Sequence, residues 1–127
     1  MAKILIIEDE KMLGDMYREK FVQAGFEVIL VGTAEEGIKI ASKEKPDLIL
    51  LDILLPRENG IYFLTEFKKK KEFSQIPVVA FSNYDDPETK KKAFELGVKD
   101  YLIKTNYTPQ EIIERVKSYL KENEKNS

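Results

Sequence analysis

The chain has 127 residues, with 23 Asp and Glu against 21 Lys and Arg, and it contains no histidine, cysteine or tryptophan. These absences exclude a thiolate nucleophile, a Ser-His-Asp triad, a disulfide framework, and any zinc, haem or iron–sulfur site built from this chain alone. What is left is carboxylates, lysine, hydroxyls, backbone groups and hard metal ions, in a length that suits one domain whose net charge of -2 argues against a dedicated nucleic-acid binder.

The N-terminus, MAKILIIEDE, turns acidic after the short apolar run Ile4 to Ile7 and is not a signal peptide. Its run Lys3 to Ile7 reads as a first strand. A helix follows, with Leu13, Met16, Tyr17, Val22 and Ala24 at helical spacing and Gly25 where it should stop. Phe26 to Val31 reads as a second strand, and Thr33-Ala-Glu-Glu36 as a capping box. In that box the Thr33 hydroxyl would take the amide of residue 36 and the Glu36 carboxylate would reach back.

Asp47 to Leu51 reads as a third strand, and Asp52 breaks the longest apolar run well short of a membrane span. Pro56 should set the turn after it, and Gly60 should let the chain pack closely at the next helix start. Ile76 to Phe81 and Lys99 to Ile103 are the remaining strands. Between them Asp86-Pro87 offers a cap, with Asp86 as acceptor for the free amides, and Gly97 a stop. Thr108-Pro109-Gln110-Glu111 repeats the capping box before a helix marked by Ile112, Ile113, Val116, Tyr119 and Leu120. Residues 1–122 form the expected domain, 123–127 a polar tail, and the stretch from Lys121 should fray. Lys68 to Lys71 and Lys90 to Lys92 read as solvated helix faces, and Tyr17, Phe21, Phe63, Phe67 and Phe94 as core.

Near-continuous apolar strands alternating with helices indicate an α/β fold: one open, doubly wound parallel sheet of five strands with five helices. The carboxyl ends of parallel strands share one edge. There the first strand ends in Glu8-Asp9, the third in Asp52, the fourth in Ser82 and the fifth in Lys104. Three converging carboxylates repel, so either one is protonated or a cation neutralises them. A hard divalent ion with oxygen ligands is the economical solution, and magnesium is commonly held in this way. A carboxylate can also attack phosphorus to give an acyl phosphate, with metal, lysine and hydroxyl stabilising the transferred oxygens.

The acidic pair in IIEDE, the segment LDILLPRENG, the hydroxyl in VVAFSN and the lysine in GVKDYLIK occur in the order in which they stand in a receiver domain of the two-component response regulators, which the chain resembles over essentially its whole length. The resemblance implies a flavodoxin-like strand order of 2-1-3-4-5, like that of the chemotaxis regulators. It implies that Asp52 is the phosphoacceptor for a phosphohistidine on a sensor kinase or phosphotransfer protein. Asp9 and Asp52 would bind Mg2+ directly, Glu8 through a water, and the Leu54 carbonyl would complete the protein ligands. Lys104 would pair with Asp52 and then the phosphoryl, while Ser82 would move to bond it and Tyr101 would turn inward as the switch aromatic. The output face would be the fourth helix, fifth strand and fifth helix, where Phe94-Glu95, Asp100 and Arg115 hint at regulators that dimerise. A cytoplasmic, stand-alone module is expected, monomeric or dimerising on phosphorylation, with no direct contact to nucleic acid or membrane. It would be no enzyme beyond its own phosphoryl transfer and slow dephosphorylation.

Two rival classes deserve weighing. An aspartyl-phosphate phosphatase of the haloacid dehalogenase type needs a second Asp two residues on, where Leu54 stands. A phosphorylation-independent adaptor would have little use for all five site residues. A flavin or nucleotide site lacks both G-x-G-x-x-G and a Walker A loop.

The chain departs from the family at Thr105, where a proline after a cis bond is usual, and at Asn83, where a small residue is commoner. A non-proline cis bond costs about 3 kcal/mol. The resemblance implies that Leu54, Asn83 and Tyr84 would border the phosphoryl site and narrow the in-line approach of water. Slow phosphoryl loss is therefore predicted. In a decay assay Tyr84→Glu should lose its phosphoryl group faster than the wild type, and equal or faster loss in the wild type would contradict the reading.

Overall fold

A computed structural model of the chain describes residues 1–55, 59–83 and 85–126, with side chains through residue 124; Pro56 and Tyr84 lie outside the described residues. The strands are β1 (Lys3–Ile7), β2 (Glu27–Val31), β3 (Leu48–Asp52), β4 (Val78–Ser82) and β5 (Asp100–Ile103). The helices are α1 (Lys11–Gln23), α2 (Ala34–Glu44), α3 (Gly60–Lys68), α4 (Pro87–Glu95) and α5 (Pro109–Asn126). All pairings are parallel, in the order β2-β1-β3-β4-β5.

Every residue of β3 and β4 is buried, as sheet strands covered on both faces must be. The side-chain period of two splits the core in half. Leu5, Ile7, Ile49, Leu51 and Ala80 face α2, α3 and α4 through Ala41, Phe63, Leu64 and Ala93. Ile4, Ile6, Leu50, Val79 and Phe81 face α1 and α5 through Tyr17, Phe21, Ile112 and Val116. The register sets Ile7 opposite Leu51, Asp52 opposite Phe81, and Ser82 opposite Ile103. The chemically equipped strand ends are thereby aligned.

Some local expectations are corrected. Asp47 precedes β3 and instead clamps β1: its carboxylate accepts from the Lys3 amide and its own amide donates to the Lys3 carbonyl, both at 2.8 Å. β4 starts only at Val78, because the Ile76 amide closes a turn onto the Phe73 carbonyl. Phe21 enters the core from α1 and Val22 is left exposed. Phe94 is 43% exposed, since α4 is short and buries only Ala93. α5 continues through Asn126, past the point where fraying was expected, and the Asn123 amide side chain donates to the Gln75 carbonyl at 3.0 Å.

The caps divide likewise. The Thr108 box is complete, with the Glu111 amide on the Thr108 hydroxyl and the Thr108 amide on the Glu111 carboxylate. At Thr33 the hydroxyl accepts from the Glu36 amide but itself donates to the Glu36 carboxylate, which does not reach back to the backbone. Asp86 caps no amide: its carboxylate takes the Thr89 hydroxyl. Gly25 and Gly97 close α1 and α4 at φ of 99° and 98°.

Gly60 fixes how closely α3 approaches the end of β3. Its amide donates to the Ile53 carbonyl at 2.8 Å, and a Cβ there would stand 2.7 Å from the Ile53 Cα and 3.0 Å from the Asp52 carbonyl oxygen. Neither backbone atom can yield without moving the loop that carries Asp52. Gly60→Ala is expected to cost about 1–3 kcal/mol in urea unfolding; a variant as stable as the wild type would show that the loop gives freely.

Candidate functional site

The site is built from loops that leave the sheet at its carboxyl edge. Glu8 follows β1, and its amide donates to the Val31 carbonyl of β2 at 3.0 Å, which keeps it in the sheet's line. Its side chain is buried, with Oε2 accepting from the Glu10 amide at 3.1 Å. Asp9, next in sequence, is exposed. Glu10 occupies the N-cap of α1 without a side-chain cap bond, so this acidic pair is not there to cap the helix.

Asp52 ends β3 with its side chain buried. One oxygen, Oδ1, accepts from the Leu54 amide at 3.0 Å and is thereby oriented. The other, Oδ2, faces Lys104 Nζ at 3.3 Å. Lys104 opens the turn after β5, and its shortest bond is not to Asp52 but to Glu8 Oε1, at 2.6 Å. With side-chain exposures of 6% for Lys104 and 1% for Glu8, this is a buried ion pair spanning the mouth of the sheet. Oxygens of Glu8, Asp9 and Asp52 all lie within 4.8 Å of one another. Three carboxylates facing one ammonium leave excess negative charge, and an all-oxygen donor set suits a hard divalent cation.

The electrostatics follow the geometry. Burial pushes the Glu8 carboxyl above the usual carboxylate range; the Lys104 bond pulls it down, and the Asp52 charge pushes it up again. Burial pulls the Lys104 ammonium down, but the Glu8 bond and the Asp52 charge outweigh it and hold the group above its ordinary value. No buried polar side-chain atom among the described residues lacks a partner.

Ser82 is buried at the end of β4, one residue beyond the register partner of Asp52. Tyr101, on the neighbouring strand β5, is buried as well. Burial raises the Tyr101 hydroxyl pKa, and the nearby Ser82 hydroxyl acts against that rise. Leu54 and Asn83 are exposed at the rim, and Tyr84 lies outside the described residues. The Lys104–Thr105 bond is trans, as are all peptide bonds among the described residues.

Sequence reasoning missed four contacts. It paired Lys104 with Asp52 alone, because strand-end order does not reveal which of two carboxylates an ammonium will reach first. It left Phe81 as a strand residue, although its ring centroid is 4.5 Å from Lys104 Nζ. It also missed the bonds that tie β5 to α5: Asp100 Oδ2 accepts from Arg115 at 2.8 Å and from the Tyr119 hydroxyl at 2.7 Å. Burial first and then the Asp100 bond push the Tyr119 hydroxyl up to about 12.

A sheet of this order carrying three acidic groups, a hydroxyl and a lysine at its carboxyl edge defines the receiver class of signalling proteins. The chain belongs to it: residues 4–117 match the response regulator receiver domain. It is 34% identical over 122 residues to the alkaline phosphatase synthesis transcriptional regulatory protein PhoP of Bacillus subtilis, covering 96% of this chain and 50% of that protein. The chain thus spans about half the length of that relative. Among solved structures it is similar to a CheY-like receiver domain protein from Methanospirillum hungatei, with a TM-score of 0.93 and 27% identity over 100% of this chain and 99% of that one. It is also similar to response regulator Rcp1 in its Mn(2+)-bound form, with a TM-score of 0.75 and 27% identity over 82% of this chain and 81% of that one.

Removing the ammonium should expose what it neutralises. Lys104→Met is expected to lose about 3 kcal/mol at neutral pH, because two buried carboxylates are left without their cation. A carboxyl whose folded pKa is raised costs stability once ionised, and that cost disappears as pH falls through the raised pKa. The deficit should therefore shrink as pH falls through the elevated range of Glu8, and also on adding a divalent cation. Urea unfolding across pH checks this, and a deficit constant with pH would contradict it.

Proposed function

We propose that this receiver is a phosphorylation-activated switch in which Asp52 takes a phosphoryl group from a phosphohistidine on a sensor histidine kinase or phosphotransfer protein. One arrangement supports the reading: Glu8, Asp9 and Asp52 within 4.8 Å, spanned by Lys104 at 2.6 Å and 3.3 Å. A carboxylate oxygen of Asp52 attacks phosphorus in line. The new P–O bond forms as the P–N bond breaks, and the imidazole nitrogen leaves with the electron pair. The chain's histidine count of zero means that the donor must come from outside.

Magnesium is the proposed cofactor, held by Asp9 and Asp52 directly, by Glu8 through a water, and by the Leu54 carbonyl. When bound it supplies positive charge for the transferred oxygens. The Mn(2+)-bound form of Rcp1 adds support for a divalent ion in such a site. Lys104, already poised on Asp52, would follow the charge from carboxylate to phosphoryl.

Ser82 ends β4 at the site's edge, and Tyr101 is buried on the adjacent strand β5. Drawing the Ser82 hydroxyl to the phosphoryl would change the surroundings of Tyr101, and a charge-assisted hydrogen bond of about 1.5–3 kcal/mol shifts a two-state equilibrium by one to two powers of ten. The proposed output is a protein partner docking on α4, β5 and α5, where Phe94 is exposed. Arg115, one of the residues that hinted at a dimer, is paired within the chain to Asp100. A phosphorylation-dependent dimer would have to form around that pair. No helix among the described residues is long and apolar enough to cross a membrane, and a cytoplasmic location is the natural one for a kinase-coupled receiver of this kind. Any activity at nucleic acid, as the name of PhoP indicates for that protein, would belong to a segment outside the matched half.

Incubation with a small acyl phosphate, with and without magnesium, and intact-mass measurement of wild type and Asp52→Asn test the proposal. The expected outcome is one magnesium-dependent phosphoryl adduct, absent from the variant. Turnover of many equivalents would indicate a phosphatase instead, and absence of any adduct a phosphorylation-independent adaptor.

A further inference from the structure

The seat of Lys104 has a third wall besides its two carboxylates. Phe81, the only aromatic residue of β4, lies with its ring centroid 4.5 Å from the ammonium. The ring is wholly buried and is itself held by Tyr17, whose ring meets it edge-on at 5.4 Å and 70°. Filling the core between α1 and α5 would need only an aliphatic side chain of similar size, as Val79 and Leu102 show on the same face. What an aliphatic residue cannot supply is the negative face of a π-system, which attracts a desolvated ammonium.

The value of that face lies in what happens to the other two walls. Glu8 and Asp52 hold Lys104 at 2.6 Å and 3.3 Å, and both belong to the acidic cluster suited to a divalent cation. A cation that engages them weakens their hold on the ammonium and adds a repulsive charge beside it. The ring is untouched by this exchange, because an aromatic face is no ligand for a hard ion. We propose that Phe81 is a positioning residue: its ring keeps the Lys104 ammonium beside Asp52 when a divalent cation and the phosphoryl group have taken over the carboxylates. This inference rests on Asp52 being the phosphoacceptor.

The test replaces the ring in two ways. Phe81→Leu keeps an apolar side chain without a π-face, and 3,4,5-trifluorophenylalanine at position 81 keeps the shape while draining the ring's electron density. In the magnesium-saturated protein, NMR should find the Lys104 ε-methylene protons shifted upfield by the ring in the wild type, and no such shift in Phe81→Leu. Initial rates of adduct formation with acetyl phosphate should fall about threefold to tenfold in Phe81→Leu and by less in the fluorinated protein. On a Lys104→Met background the same replacement should change the rate no further, which separates positioning from packing.

Equal slowing on both backgrounds, or loss of the upfield shift from the wild type when magnesium is added, would overturn the inference. So would a fluorinated protein as fast as the wild type. A wild type that forms no adduct overturns the phosphoacceptor reading instead, while the ring shift in the magnesium-saturated protein still decides where Lys104 sits.

Discussion

The carboxyl edge of the sheet forces like charges together where water is scarce. Glu8 and Asp52 are both buried, on neighbouring strands whose register leaves them no freedom to separate. Carboxylates in that position need a counter-charge, and the chain supplies one ammonium, from Lys104 at the far end of the sequence and two strands away from Asp52. Much of the local structure then serves that balance. The Leu54 amide orients one Asp52 oxygen, the Glu10 amide occupies one Glu8 oxygen, and Gly60 lets α3 press against the backbone of Asp52 and Ile53.

An edge with three carboxylates and one ammonium is a site in waiting, because its own counter-charge is incomplete. Under the proposed function such a site would respond to both kinds of visitor that phosphoryl transfer brings. A divalent cation lowers the carboxylate repulsion, and a phosphoryl group replaces one carboxylate charge by a larger one spread over more oxygens. In the proposed function Lys104 and Ser82 would redistribute their bonds in reply, so that the chemistry at Asp52 and the conformational response would be two aspects of one electrostatic adjustment.

The sheet, its five helices and the residues at its edge were legible in the sequence because their signals are local and strong. Apolar runs of strand length, glycine stops at Gly25 and Gly97, and the Thr108 box each carry their own physical cause. The strand order was legible only through the family resemblance, because periodicity says nothing about which strands adjoin. What stayed hidden was three-dimensional choice. That Val22 turns outward beside the buried Phe21 depends on the pitch at which α1 meets the sheet, and the exposure of Phe94 on how short α4 is. The Asp86 carboxylate had two acceptable donors within reach, the helix amides and the Thr89 hydroxyl, and propensity does not choose between them. The Glu8–Lys104 bond joins groups 96 residues apart, and no pattern in the chain announces it.

Phe81 and Ser82 are consecutive in β4, and consecutive strand residues point to opposite faces of a sheet. Phe81 belongs with Tyr17, α1 and α5, whereas Ser82 acts on the hydroxyl of Tyr101, which packs in the half of the core that includes α2, α3 and α4. One peptide unit thus carries two separate lines away from Asp52, each into its own compartment of the molecule. On the proposed function, substitutions in one compartment would retune how the protein receives a phosphoryl group without disturbing how it reports one. A family that must match many kinases to many targets has in this parity of a single strand a means of changing the two independently.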